Sequence, residues 1–219
     1  MYWQEDTNNA QFTTPDDVVD LVYQIRCTSL PVDHAWALAT AIKGALPWFP
    51  EEPLAGLHLI HVADSGNGWE RPYGAHELLY PSRRTRLVLR MPKERLDEAM
   101  ALVGMTLDIS GHLLEAEKAK SRKLSVTDIL YSRYVISDPA WSEVEFIDWA
   151  VSQLKSMRIQ FKKILCGKIS QLATPQGILM TRSLMVANLS FEDAIHLQEQ
   201  GIGEGRTMGC GLFIPQKSF

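Results

Sequence analysis

Six histidines are the side chains of this chain best suited to moving a proton at neutral pH. An imidazole titrates near about 6.5 and serves as base or acid. His34 opens the segment DHAWALATAIKGALP one residue after Asp33. A first-turn side chain there projects from the sheet end, and the helix N-terminus disfavours the imidazolium and so keeps a neutral base available. His34 is therefore the leading proton-transfer candidate, against the alternative of a capping or surface histidine. His58 and His61 lie in LHLIHV, where strand alternation sends them to opposite faces, so only one can meet a ligand. His58 is taken as the second candidate. His76 sits in a loop, and His112 and His196 read as structural or surface residues.

Anion chemistry is the second theme. In SRRTRLVLRM alternation predicts Arg84, Arg86, Val88 and Arg90 on one face and Thr85, Leu87, Leu89 and Met91 on the other. With Arg83 beside them, these arginines form a surface that must meet solvent or an anion, and guanidinium forks match phosphates. The run KAKSRK adds Lys118, Lys120, Arg122 and Lys123. Tyr131 and Arg133 share a face, as a stacking and charge pair or a plain surface ladder. The stretch GIGEGRTMGCGLFIP carries Gly201, Gly203, Gly205, Gly209 and Gly211. It follows a helical pattern and precedes a strand, the reverse of a dinucleotide fingerprint. A permissive turn capped by Gly201 accounts for one or two of these glycines. The reading favoured is a backbone approached by an anionic ligand, with Gly203, Gly205 and Gly209 giving access and Arg206 assisting.

The elements that would position these residues follow a rhythm. A β-branched run over 18–29, a helix from Asp33 as cap to Pro47 as stop, strands at 57–63 and RTRLVLRM, a helix PKERLDEAMALVG ending at Gly104, and a hairpin about Ser110 and Gly111 make a βαββαβ order. The rest repeats it: KLSVTDILYSRYVIS as strand, WSEVEFIDWAVSQLKSM as helix with Phe146 and Trp149 in the core, two strands about the turn PQG, FEDAIHLQEQ as helix and GCGLFIPQ as strand. The fold class is α+β, with tandem ferredoxin-like domains at 1–118 and 119–219.

Composition narrows the function. The formal charge of -4 would argue against a nucleic-acid partner. The acids, however, crowd the first twenty residues, away from the basic strand. Cys27, Cys166 and Cys210 are odd in number with no CxxC spacing, which argues against a disulfide framework or zinc ribbon. No HExxH, EF-hand loop or GxSxG occurs. No metal or other cofactor is expected. The start of the chain lacks a basic, apolar leader and no apolar run reaches about eighteen residues, so a cytoplasmic protein without membrane association is expected.

The segments DHAWAL, GLHLIHV, RRTRLVLRMP and LQEQGIGEGRTMGCGLFIP, in this order over nearly the whole chain, resemble the CRISPR-associated endoribonucleases that process precursor CRISPR RNA. These belong to the repeat-associated mysterious protein (RAMP) superfamily, and the likeness is to the short MYXAN subtype. The resemblance implies CRISPR repeat RNA and mature CRISPR RNA as partners, further subunits of an effector complex in some settings, and metal-independent cutting in which the 2′-hydroxyl attacks the phosphate. It implies a catalytic histidine on or near the first helix, where His34 stands. Catalytic tyrosines also occur in the family, and Tyr73 and Tyr80 are available. The alternative is a RAMP-type RNA-binding subunit without nuclease activity.

Overall fold

The computed structural model describes residues 12–62, 74 and 77–216. Its N-terminal unit contains β1 (Val18–Cys27), β2 (Leu30–Pro31), α1 (Ala35–Ala45), β3 (Gly56–His58), β4 (Leu78–Leu79), β5 (Arg86–Pro92), α2 (Leu96–Ala99), β6 (Thr106–Ile109) and β7 (His112–Lys123). The C-terminal unit contains β8 (Ile129–Ile136), α3 (Glu143–Ser156), β9 (Lys163–Thr174), β10 (Gly177–Ala187), α4 (Phe191–Gln200) and β11 (Ile214–Pro215). The sheets run β3-β5-β1-β7-β6 and β11-β8-β10-β9, with antiparallel pairing throughout. Leaving aside the added edge strand β6, both have the first strand of their unit inside beside the third, with the second and fourth outside. The two units thus share the ferredoxin-like topology.

Period-two burial explains β1. Leu21, Tyr23 and Ile25 enter the core with Leu38 and Ile42 of α1 and Leu87, Leu89 and Met91 of β5, while Gln24 and Arg26 stay exposed. The Ser110–Gly111 hairpin forms as expected, both residues having positive φ. Membrane-spanning length is reached by none of the helices among the described residues.

Several local expectations change: the strand expected at 57–63 is reduced to Gly56–His58 and the C-terminal strand GCGLFIPQ to Ile214–Pro215. PKERLDEAMALVG gives a four-residue α2 flanked by 3-10 turns rather than a full helix. The phenol of Tyr23 donates to the Ala99 carbonyl at 2.7 Å, so that oxygen serves the core, and the Val103 amide tightens onto Met100 instead. Asp33 does not cap α1: its Oδ2 accepts the Ala173 amide at 2.7 Å, across the two units. Finally, β7 runs unbroken through residues 118 and 119, the expected division between the units. Alternating residues of one strand cannot leave its sheet without breaking the ladder to β1.

The units are joined by an apolar seam in which Ala35 and Leu59 meet Leu172 and Cys210, flanked by Tyr134, Ile136, Leu179 and Met208. Close approach here is what the glycine-rich stretch provides. At Gly209 (φ +94°) a Cβ would lie 2.5 Å from Cγ of Leu59, and at Gly211 (φ +67°) it would drive into the Ile202 carbonyl. Gly211→Ala is expected to cost about 1–3 kcal/mol of stability from the backbone alone. Gly44→Ala, in helix α1 with no atom within 4 Å of the added methyl, should instead gain about 0.5–1 kcal/mol. Urea unfolding of the two variants checks both signs.

Candidate active site and nucleic-acid interface

His34 is the N-cap of α1 and only 2% exposed. Its Nδ1 lies 2.8 Å from the Pro31 carbonyl and 3.1 Å from that of Val32, and its Nε2 accepts the Ile60 amide at 3.1 Å. Carbonyls on one side and an amide on the other select the neutral Nδ1–H tautomer. The expectation that this ring projects toward a ligand is corrected: it staples the start of α1 to the segment leaving β3. No signal in the sequence revealed the amide of Ile60 waiting for it.

That staple sets the position of the next residue. His61 is half-buried and stacks on Tyr134 of β8, with ring centroids 6.1 Å apart and planes at 23°. The pair sits where the segment after β3, the start of α1, the 3-10 turn Arg206–Met208 and the end of the β9–β10 hairpin converge. Two proton-carrying side chains from different units meet there. The strand expected to carry both His58 and His61 ends at His58, so alternation does not reach His61, and Tyr134 came from a distant strand and could not be paired with it.

His58, the second candidate, faces a buried charge cluster. Its Nε2 is 3.7 Å from Oδ1 of Asp20, and Arg90 donates to the same carboxylate at 2.8 and 3.3 Å, with Arg122 at 3.0 Å. Burial first, then the positive charges of Arg90 and Arg122, hold the His58 pKa below its ordinary value, with Asp20 opposing. Burial works against the Asp20 charge, but Arg90 and His58 outweigh it and hold the carboxyl well below the usual carboxylate range. His58 belongs to this internal network, and the reading of it as a ligand-facing catalyst is corrected.

Two arginines assigned to the nucleic-acid surface turn their guanidinium groups onto the protein, Arg90 buried and Arg206 half-buried. Alternation along β5 holds, with Leu87, Leu89 and Met91 in the core. Arg90 is nevertheless 1% exposed, because the C-terminal unit covers that end of the face, and Nη1 donates to the carbonyls of Gln198 and Phe213. Arg206 donates to the carbonyls of Ala55, Leu54, Glu199 and Gln200, and burial with the nearby Arg90 pushes its pKa down to about 10. Both bind the units together. The glycine loop also packs in part against the protein itself. Gly203 lies under Trp149, Gly205 lies against Ile136 and Cys210, and the amides of Gly201, Ile202, Met208, Gly209, Cys210 and Gly211 all donate to protein carbonyls. The permissive reading of the loop gains ground over a ligand cradle.

Arg83 and Arg84 occupy an exposed turn before β5, and Arg86 is half-buried and folded back onto the carbonyls of Arg83 and Thr85. The Arg122 side chain is 60% exposed despite its bond to Asp20. Exposed Lys123 donates to the Thr14 carbonyl at 3.2 Å. Arg133 lies over the Tyr131 ring at 5.9 Å, as the shared face predicted. His112 is paired with the Ser29 hydroxyl at 2.9 Å, Tyr80 is exposed, and His76 and Tyr73 lie outside the described residues. Phe146 is buried and Trp149 packs against the same core. Among the described residues no group of three His, Cys, Asp or Glu is placed to hold a metal ion.

Against known proteins, the family described as Cas6 Crispr matches residues 19–218. The chain belongs to the Cas6 family of CRISPR-associated proteins. It is 29% identical over 197 residues to "CRISPR-associated endonuclease Cas6" of Myxococcus xanthus (strain DK1622), covering 90% of this chain and 81% of that one. Among solved structures, one described as "CRISPR associated protein Cas6" superposes with a TM-score of 0.64 at 13% identity, over 91% of this chain and 100% of that one. Another, "An RAMP protein binding different RNA substrates", gives 0.60 at 12% identity over 90% and 98%. These structures share the tandem ferredoxin-like fold.

The Asp20–His58 cluster predicts an acid-sensitive protein. A histidine whose folded pKa is depressed binds fewer protons folded than unfolded, so stability falls as pH drops through the unfolded value near 6.5. The depressed Asp20 adds its own loss only as pH falls below its unfolded value of 3.8. Thermal unfolding between about pH 7.5 and 5 should show a falling midpoint, and His58→Asn should flatten that dependence while leaving the more acidic limb.

Proposed function

We propose that the chain is a metal-independent endoribonuclease that cleaves CRISPR repeat RNA by 2′-hydroxyl attack and releases mature CRISPR RNAs. Membership of the Cas6 family supports the substrate class, and the similarity to an endonuclease over most of both chains supports cutting. The observation that carries the mechanism is the His61–Tyr134 pair at the seam between the units.

In the proposed reaction the His61 imidazole takes the proton of the 2′-hydroxyl, the 2′-oxygen bonds to phosphorus, and the bond from phosphorus to the 5′-oxygen breaks. The departing 5′-oxygen takes a proton through solvent, leaving a 2′,3′-cyclic phosphate and a 5′-hydroxyl. Tyr134 holds the imidazole plane. His34 is a positioning residue that fixes Ile60, and through it His61. The RNA backbone lies along the exposed remainder of the basic surface, Arg83, Arg84, Arg86, Arg122 and Lys123.

His61→Ala is expected to lower single-turnover cleavage of the cognate repeat by about 10²- to 10⁴-fold with little change in affinity, and wild-type cleavage should persist in EDTA with a cyclic-phosphate product. Wild-type rates in His61→Ala would move the base elsewhere. Absence of cleavage by the wild-type protein on bound repeats would favour the RNA-binding subunit instead. Separately, replacing Arg84, Arg86 and Arg122 by alanine should flatten the salt dependence of binding, by about 0.7 in log–log slope for each single-strand phosphate no longer neutralised. An unchanged slope takes them out of the interface.

A further inference from the structure

Among the described residues, helices cover one face of the C-terminal sheet. Leu130, Leu184 and Val186 point into the core formed with Phe146, Ala150, Leu154, Ala194 and Leu197 of α3 and α4. The residues next to them in the strands turn the other way. On that opposite face Leu165, Met185, Tyr131 and Ile214 are direct cross-strand partners, one from each of β9, β10, β8 and β11. The hairpin end of this face is sealed by the seam through Leu172, Leu179 and Ile136. The Tyr131 end is open, Leu165 being 55% exposed.

An open groove of about 390 Å³ lies there, lined by Tyr131, Leu165, Met185, Gly167, Ser183 and Gln216 among others. Its floor is flat and apolar, with the soft thioether of Met185 beside the phenol ring. The absence of a side chain at Gly167 leaves the Ser183 hydroxyl directly beneath the strand, where a Cβ would overlap it. Gln216 brings an amide to the rim. Arg133 lies over Tyr131, and its buried Nε has no hydrogen-bond partner among the described residues. Lys163, two residues before Leu165, and Lys168 are exposed on the edge strand.

We propose that this groove is a nucleobase subsite, in which an unpaired base of the RNA stacks on Tyr131 while Arg133 and the edge lysines meet its phosphates. The inference rests on the reading of the chain as an RNA-binding protein and assigns to it a second contact, separate from the cleavage site. A π-faced floor with polar residues at the rim and exposed lysines on the neighbouring edge strand matches a base with its phosphate. The subsite is also continuous with the proposed active site. Tyr131 and Tyr134 are carried by the same strand, about 10 Å apart at roughly 3.3 Å per residue, so a strand of RNA cut beside His61 passes over Tyr131.

The test uses a short unstructured oligonucleotide carrying 2-aminopurine, whose fluorescence is quenched on stacking, with affinity read by anisotropy on the full chain. Tyr131→Ala should weaken binding about 5- to 150-fold, as expected for removing one base–aromatic stack, and abolish the quench, while Tyr131→Phe retains both. Leu165→Glu, at an exposed position that folding does not need, should weaken binding by repelling phosphate. Equal affinity for the Ala and Phe variants, or quenching that survives Tyr131→Ala, overturns the subsite. So does a wild-type dimer in sedimentation that Leu165→Glu dissociates, because the face then belongs to a second copy. A protein that cleaves repeats but binds the oligonucleotide equally well with Tyr131→Ala refutes the subsite alone. One that binds through Tyr131 and cuts nothing refutes the cleavage reading alone.

Discussion

The guanidinium of Arg90 is the interaction on which the rest depends. It is buried between the sheet of one unit and the chain of the other, held on its own side by the Asp20 carboxylate and on the far side by the carbonyls of Gln198 and Phe213. A buried charge is stable only where every donor is met. The two units must therefore meet in the one arrangement that brings these carbonyls to it. Arg206 adds the reciprocal clamp, reaching from the C-terminal unit to the carbonyls of Leu54 and Ala55 just before β3. Together they set where the segment after β3 lies against β8.

That placement has a chemical consequence. A lone half-buried histidine on a loop has no defined ring plane, and general acid–base catalysis depends on geometry before pKa. Here the seam gives His61 a tyrosine face from the other unit, while His34 pins the preceding residue from behind. The glycine-rich stretch makes the approach possible, since a side chain at Gly209 would collide with Leu59, two residues before His61. The geometry of the proposed site is thus a property of the junction and of neither unit alone.

The basic surface is sorted by the same packing. Arginines that alternation places on one face of β5 part company according to whether the second unit covers them. Arg90 becomes a structural strut, whereas Arg83 and Arg84 remain in water ahead of the strand. The excess of acids is sorted too, because Asp20 lies inside the network, where it balances arginine and does not face an RNA strand.

Periodicity in the sequence determined the two βαββαβ units, the apolar face of β5, the Ser110–Gly111 hairpin and the pairing of Tyr131 with Arg133, because each depends on residues near one another in the chain. That His34 is buried was decided only by the tertiary structure. Its contact with the Ile60 amide joins residues far apart in the chain, which local pattern cannot show. The same holds for Arg206 and Gly209 of the loop, which meet Leu54, Ala55 and Leu59 some 150 residues away. Burial and hydrogen-bond satisfaction are properties of the packed pair of units, and a strand pattern reports only on which side a residue points, never on what comes to cover it.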